Sequence, residues 1–243
     1  MRTPNVLKKI ISSAGKKVNA VRTGRGIIHE ERRASKNPVA RAGLGWLLLT
    51  SFTPKRALLS AFKAKHPAMY LHSVQVGGLS VEILNELRAS GVKVDTTDRQ
   101  MRQMAMFHDI GKLLLPKRLI GKSRALSDKD YRRLKKHVEM GAGLGKGVLP
   151  EMVVDAIAKH QELVNGQGYP KGLSGNEIPM HVKVLSVADS LSAMVSSRGY
   201  RKSTKSWQIA FNEIKSMRMR YEGQVVDALG EVLKKRGLLN NSV

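Results

Sequence analysis

The chain has 243 residues, 42% hydrophobic and 26% charged, with a formal net charge of +24 and no cysteine. That balance suits one good-sized globular domain with an extension, and it excludes a disulfide framework or a thiolate metal site, so any metal must be held by imidazole and carboxylate, donors that suit iron, manganese or zinc. The longest apolar run, residues 42–52, is too short to span a bilayer and no secretory signal is visible, so the chain reads as cytoplasmic.

The charge is uneven along the chain. Residues 1–67 hold fifteen Lys and Arg against two acids, residues 68–197 eighteen against thirteen, and residues 198–243 ten against four. Such an excess favours anionic partners: nucleic acid, an acidic protein surface or an anionic membrane. The alternative is a solvated basic face that aids solubility. Residues 1–67 are read as a basic helical extension of unknown role. Within them Val6, Ile10, Ile11 and Ala14 recur near helical spacing among lysines, which predicts an amphipathic helix, and residues 22–38 read as loop and short helix.

From residue 68 the helical pattern sharpens. Residues 68–91 run helical and stop at Gly91. Residues 96–109 start at a Thr or Asp cap and turn Met101, Met104, Ala105 and Phe107 toward a core. Residues 126–141 open on Ser127 with an acid three positions later, a start resembling a capping box, and read as one helix. Residues 149–162 follow, with a proline near the first turn. Residues 178–197, 206–219 and 224–237 complete the set. Strand signals are scarce and no internal repeat appears. The expectation is an all-α bundle of about seven or more helices over residues 68–243.

Ligand-type residues fall at inward positions of these helices. His72 lies on the first, His108 and Asp109 end the next, His137 is placed late in the third, His160 late in the fourth, and Asp189 inside the apolar "LSVADSLSAM". Taken singly, His72 suits a satisfied core histidine, His137 beside two lysines suits the surface, and Asp189 suits an arginine pair. Taken together, six such groups on five helices point to a metal, which removes the penalty of burying a carboxylate. Facing helices of a bundle commonly deliver ligands in this way. His29, His66 and His181 are assigned no site.

These stretches resemble the HD-GYP proteins, a branch of the HD metal-dependent phosphohydrolases that degrade cyclic di-GMP. The matching segments are "HDIGK" at 108–112, "LSDKDYRRLKKHVEMG" at 126–141, "HQELVNGQGYPKGLSGNEIP" at 160–179, "ADSLSAM" at 188–194 and "RGYR" at 198–201. The likeness runs from about residue 68 to about 236, and the first 65 residues carry none. It implies an HD-type helical bundle and two divalent metals, iron, manganese or similar. His72, His108, Asp109 and Asp189 would hold the first, and Asp109 would bridge to a second held by His137 and His160. It further implies that Lys112 contacts phosphate and takes part in catalysis with Asp109. Arg198 and Arg201 would grip the other phosphate, and Tyr169 of the Gly168–Tyr169–Pro170 loop would bring its ring and hydroxyl near the site. The implied reaction is attack of a metal-bound hydroxide that opens cyclic di-GMP to a linear dinucleotide. Further cleavage to GMP is left open by the motif.

The departures from the pattern carry expectations of their own. Gln161 stands where the family often has a second histidine, and a glutamine is a poorer ligand, so the second metal is expected to bind more weakly. Ala68 stands where three-metal members place a glutamate, which limits the site to two metals. Asn165 and Ser192 replace aspartates outside the implied donor set. Three rival readings stay open: an HD-GYP domain weakened by Gln161 that binds cyclic di-GMP or a protein partner without turnover, an HD hydrolase acting on another phosphate ester, and a nucleic-acid-binding protein with an incidental HD core. The last is disfavoured by an aromatic content of 5%.

Overall fold

The computed structural model describes residues 53–120, 126–196 and 204–239. The amphipathic helix expected near the N-terminus, the apolar run at 42–52 up to its last residue, and both Arg198 and Arg201 lie outside the described residues. Packing divides the chain into residues 1–65 and 66–243. Of the first unit the described part is α1 (Pro54–Lys65), which buries Ala57, Leu58 and Phe62.

The second unit is built on α2 (Pro67–Ala89), a helix of 23 residues and so about 35 Å long. Proline in its first turn needs no backbone donor. Its end is set by Gly91 at φ 84°, with the Val92 N–H returning to the Leu87 carbonyl at 2.9 Å, a left-handed cap that glycine adopts without strain. Val76, Leu79, Ile83, Leu84 and Leu87 of α2 are buried. Against α2 pack α3 (Asp98–Phe107), α8 (Met180–Val195) and α10 (Gly223–Lys235).

Helix α3 begins at Thr97, whose hydroxyl accepts from Gln100 N–H while the Gln100 side chain accepts from Thr97 N–H. This capping box satisfies two donors that the first turn leaves open. The buried face of α3 is Met101, Met104, Ala105 and Phe107, as the periodicity predicts. A 3-10 turn (Ile110–Leu114) and α4 (Lys117–Ile120) follow.

The helix expected over residues 126–141 is two helices, α5 (Asp128–Lys135) and α6 (His137–Gly145), broken at Lys136. Neither proline nor glycine causes the break. Helix α5 buries no residue, whereas α6 buries His137, Val138, Gly141, Leu144 and Gly145, so the break separates an exposed helix from a buried one, which sequence periodicity does not reveal. His137 therefore opens α6 instead of standing late in a longer helix. The Ser127 hydroxyl caps α5 by accepting from Asp130 N–H at 3.3 Å.

Helix α7 (Glu151–Lys159) starts behind Pro150 and packs on α3 and α6. A long loop with one short 3-10 turn (Gly175–Glu177) leads to α8. Then come α9 (Trp207–Ser216), a 3-10 turn (Arg218–Arg220) and α10. No strand occurs among the described residues; one isolated bridge joins Asn165 and Ser174. Lys183 of α8, 7% exposed, reaches Glu222 at 2.7 Å, and the Tyr221 hydroxyl donates to Ser190 at 3.0 Å. The segment before α10 is thus tied to the helix that carries Asp189. No helix among the described residues is long and apolar enough to cross a membrane.

Candidate metal centre

Five elements converge on one buried hollow. His72 comes from the second turn of α2, His108 and Asp109 from the end of α3, His137 from the first residue of α6, His160 from the end of α7 and Asp189 from the middle of α8. His72, His108, Asp109, His137 and His160 are each no more than 4% exposed. Their imidazoles form a chain, with ring centroids 5.9 Å apart for His72 and His108, 5.2 Å for His108 and His160, and 5.3 Å for His137 and His160.

Local backbone geometry sets the tautomer of three of these rings. His108 Nδ1 lies 2.6 Å from the Ala105 carbonyl, His137 Nδ1 2.7 Å from that of Leu134, and His160 Nδ1 2.8 Å from that of Ile157. A carbonyl only accepts, so each Nδ1 carries its proton, and each Nε2 is left to the hollow. Metal-ligating histidines are oriented in this way by the partner of the other nitrogen.

The carboxylates complete two donor groups. Asp109 Oδ1 is 3.3 Å from His137 Nε2 and 3.9 Å from His160 Nε2, while Oδ2 is 3.4 Å from His108 Nε2. Asp189 Oδ1 is 2.8 Å from His72 Nε2 and 3.6 Å from His108 Nε2. His72, His108 and Asp109 each offer a donor atom within 4.8 Å of the others, and so do Asp109, His137 and His160. Asp109 belongs to both groups.

These residues fit divalent cations. His108 Nε2 and Asp109 Oδ1 are buried without a hydrogen bond, and His137 Nε2 and His160 Nε2 face each other at 3.2 Å. A buried polar atom left without a partner is costly, and a cation between these atoms removes that cost. Burial opposes charge on both aspartates, but Lys112 and His108 hold the Asp109 carboxyl well below the usual range, and His108 and His72 do the same for Asp189. Burial would depress His108, yet the charges of Asp109 and Asp189 push it up to about 10. His160 is pushed down to about 3, first by burial and then by the charges of His108 and His137.

Lys112 stands in the 3-10 turn after Asp109, its Nζ 2.6 Å from Asp109 Oδ2. That turn is held against α6 by a close approach at Gly111, where a Cβ would lie 1.9 Å from the His137 carbonyl oxygen. Tyr169 is placed beside Gln161: its hydroxyl donates to the Gln161 side-chain oxygen at 3.0 Å. The glycines of its loop serve two needs. Gly166 and Gly172 take positive φ, as a tight turn requires, whereas Gly168 is needed because a Cβ would lie 2.4 Å from Leu163 N.

Two residues of this neighbourhood escape the sequence reading. Glu162, 2% exposed, accepts from Lys171 N–H at 2.7 Å and Leu173 N–H at 3.0 Å, bracing the loop that carries Gly168–Tyr169–Pro170 from inside. Its place directly after the His160–Gln161 pair was the available signal. Lys135 holds its ammonium 4.8 Å from the Tyr169 ring centroid, a contact that nothing in a run of basic residues foretells.

Comparison with known proteins bears on the family and the fold. A family profile described as "HD domain" matches residues 63–225. The chain is 33% identical over 168 residues to a Thermotoga maritima protein named cyclic di-GMP phosphodiesterase, covering 68% of this chain and 44% of that protein. It is 31% identical over 150 residues to the cyclic di-GMP phosphodiesterase PA4108 of Pseudomonas aeruginosa, covering 60% and 35%. The chain therefore spans less than half the length of these relatives. Among solved structures, the HD domain of the L. monocytogenes phosphodiesterase PgpH in complex with cyclic-di-AMP superposes with a TM-score of 0.56 at 19% identity, covering 76% of this chain and 98% of that one. That likeness concerns the fold.

Proposed function

The chain belongs to the HD-domain family, and from that premise we propose that it is a metal-dependent phosphodiesterase that opens cyclic di-GMP to a linear dinucleotide. The observation that carries this reading is the pair of donor groups sharing Asp109, with the Nε2 atoms of His108, His137 and His160 directed into one hollow by carbonyl hydrogen bonds. The relatives named for cyclic di-GMP hydrolysis, similar over the same stretch, support the choice of substrate.

His72, His108, Asp109 and Asp189 would hold one cation, and Asp109, His137 and His160 the other. Two adjacent divalent cations, when bound, acidify a water and clamp the oxygens of the scissile phosphate. The chain's own residues do the rest. The three carbonyl-bound histidines keep their rings in one orientation and one tautomer. Asp109 and Asp189, ionised at neutral pH, supply the negative charge that two cations need. Lys112, whose ammonium is paired with Asp109, would turn it to a phosphate oxygen when substrate enters. Arg198 and Arg201 would hold the second phosphate, since a dianionic substrate calls for more than one cationic contact. Gln161 marks the second group as the weaker one, with three protein donors.

The test is metal analysis of the purified chain together with a turnover assay on cyclic di-GMP, with cyclic di-AMP as competitor. Two iron or manganese ions per chain and a linear dinucleotide product are expected. Bound nucleotide without product would replace this reading with a binding domain, and preference for the competitor would move the substrate assignment to another cyclic dinucleotide.

A further inference from the structure

Two residues outside the metal donors contact Tyr169. The Tyr169 hydroxyl donates to Gln161 Oε1 at 3.0 Å, and its backbone N–H donates to the Gln161 carbonyl at 3.1 Å. The Lys135 ammonium lies 4.8 Å from the centroid of the Tyr169 ring and 4.7 Å from that of Tyr131. A cation between two aromatic faces is attracted by both. Lys135 is half-buried, and its ammonium faces these two rings. Lys135 stands two residues before His137, and Gln161 one residue after His160. Tyr169 is thus fastened to the neighbours of two of the three donors in the second group.

We propose that Gln161 and Lys135 are positioning residues that lock Tyr169, so that it meets substrate with its ring and not with its hydroxyl, and that residue 161 serves the Gly168–Tyr169–Pro170 loop instead of the metals. A phenol proton committed to Gln161 is not offered to a phosphate oxygen. The group of Tyr131, Lys135 and Tyr169 combines two rings with one positive charge, a chemistry that suits a nucleotide with its flat base and anionic phosphate. The effect on turnover rests on the phosphodiesterase reading; the lock itself does not.

The test uses the full chain loaded with metal and labelled with 3-fluorotyrosine. Tyr169→Phe identifies its line among those of the five tyrosines. Gln161→Met removes the acceptor at similar volume, and Lys135→Met removes the ammonium. Each is expected to move the Tyr169 line while metal content stays at the wild-type level, and Lys135→Arg, which keeps a cation over the ring, is expected to restore it. A line that stays put in both variants, or loss of metal in Gln161→Met, overturns the proposal. In turnover, Gln161→Met is expected to raise KM about three- to tenfold, more than it lowers kcat, as for one lost hydrogen bond. Adding Tyr169→Phe to it should change nothing further, and additive losses overturn the lock. A wild-type chain that holds metal but leaves cyclic di-GMP intact sinks the activity alone, and the fluorine line still decides the lock.

Discussion

His108, His137 and His160 share one local device: each ring gives its Nδ1 proton to the carbonyl three residues earlier. The device comes with the end of a helix, where the last carbonyls lack their usual intrahelical partners four residues on, and it leaves Nε2 to the interior. Asp109 then decides how the two groups depend on each other. Asp109→Ala is expected to abolish binding at both, while Asp189→Ala abolishes it at the first only; metal analysis of the two purified variants separates them. Equal metal content in Asp109→Ala and the parent would remove the shared-ligand assignment. The protonation states give a second expectation. His108, pushed up to about 10 by its two aspartates, carries a proton on Nε2 at neutral pH, and a metal must displace it. His160, pushed down to about 3, is already neutral and releases none. Metal uptake at pH 7 should therefore release about one proton per chain from His108, and affinity should strengthen as pH rises toward 10, because fewer chains hold that proton. Calorimetric titration in two buffers of unlike protonation enthalpy measures the release; no difference between them would contradict it.

At the scale of elements, the centre depends on how closely the 3-10 turn after Asp109 approaches α6. Gly111 has no room for a side chain: a Cβ would meet the His137 carbonyl oxygen at 1.9 Å and Gly141 N at 2.5 Å. Backbone cannot yield as a side-chain tip does. Gly111→Ala should cost about 3 kcal/mol or more, and it should also lower metal content, since the turn and His137 must part. Thr97→Ala is the control. It removes the cap of α3, far along the helix from Asp109, and should cost about 1 kcal/mol with metal content unchanged. Urea unfolding with metal analysis on both variants distinguishes them, and equal effects would show that the approach at Gly111 does not position the centre. The cap of α3 was readable because Thr97 and Gln100 are three residues apart. The break between α5 and α6 was not, because it follows from which helix the bundle buries.

For the whole molecule, five elements meet at a hollow that contributes no apolar packing of its own. A cation that binds only the folded chain stabilises it by mass action, by about 4 kcal/mol per site at a thousandfold excess over Kd. Chelation should accordingly lower Tm by about 10 °C or more, and an unchanged Tm would mean that the hollow is stable without metal. The sequence alone determined the all-α class, most helix faces and the six candidate donors. It could do so because helix periodicity is local, and because imidazoles and carboxylates amid apolar residues are expensive enough to demand a reason. Only the tertiary structure decided that His137 opens a helix, that Gly111 and Gly168 are fixed by backbone contact, and that Gln161 and Lys135 face Tyr169. Those facts depend on distances between segments remote in the chain, and side-chain orientation across such gaps is set by packing, on which the local pattern of residue types places no constraint.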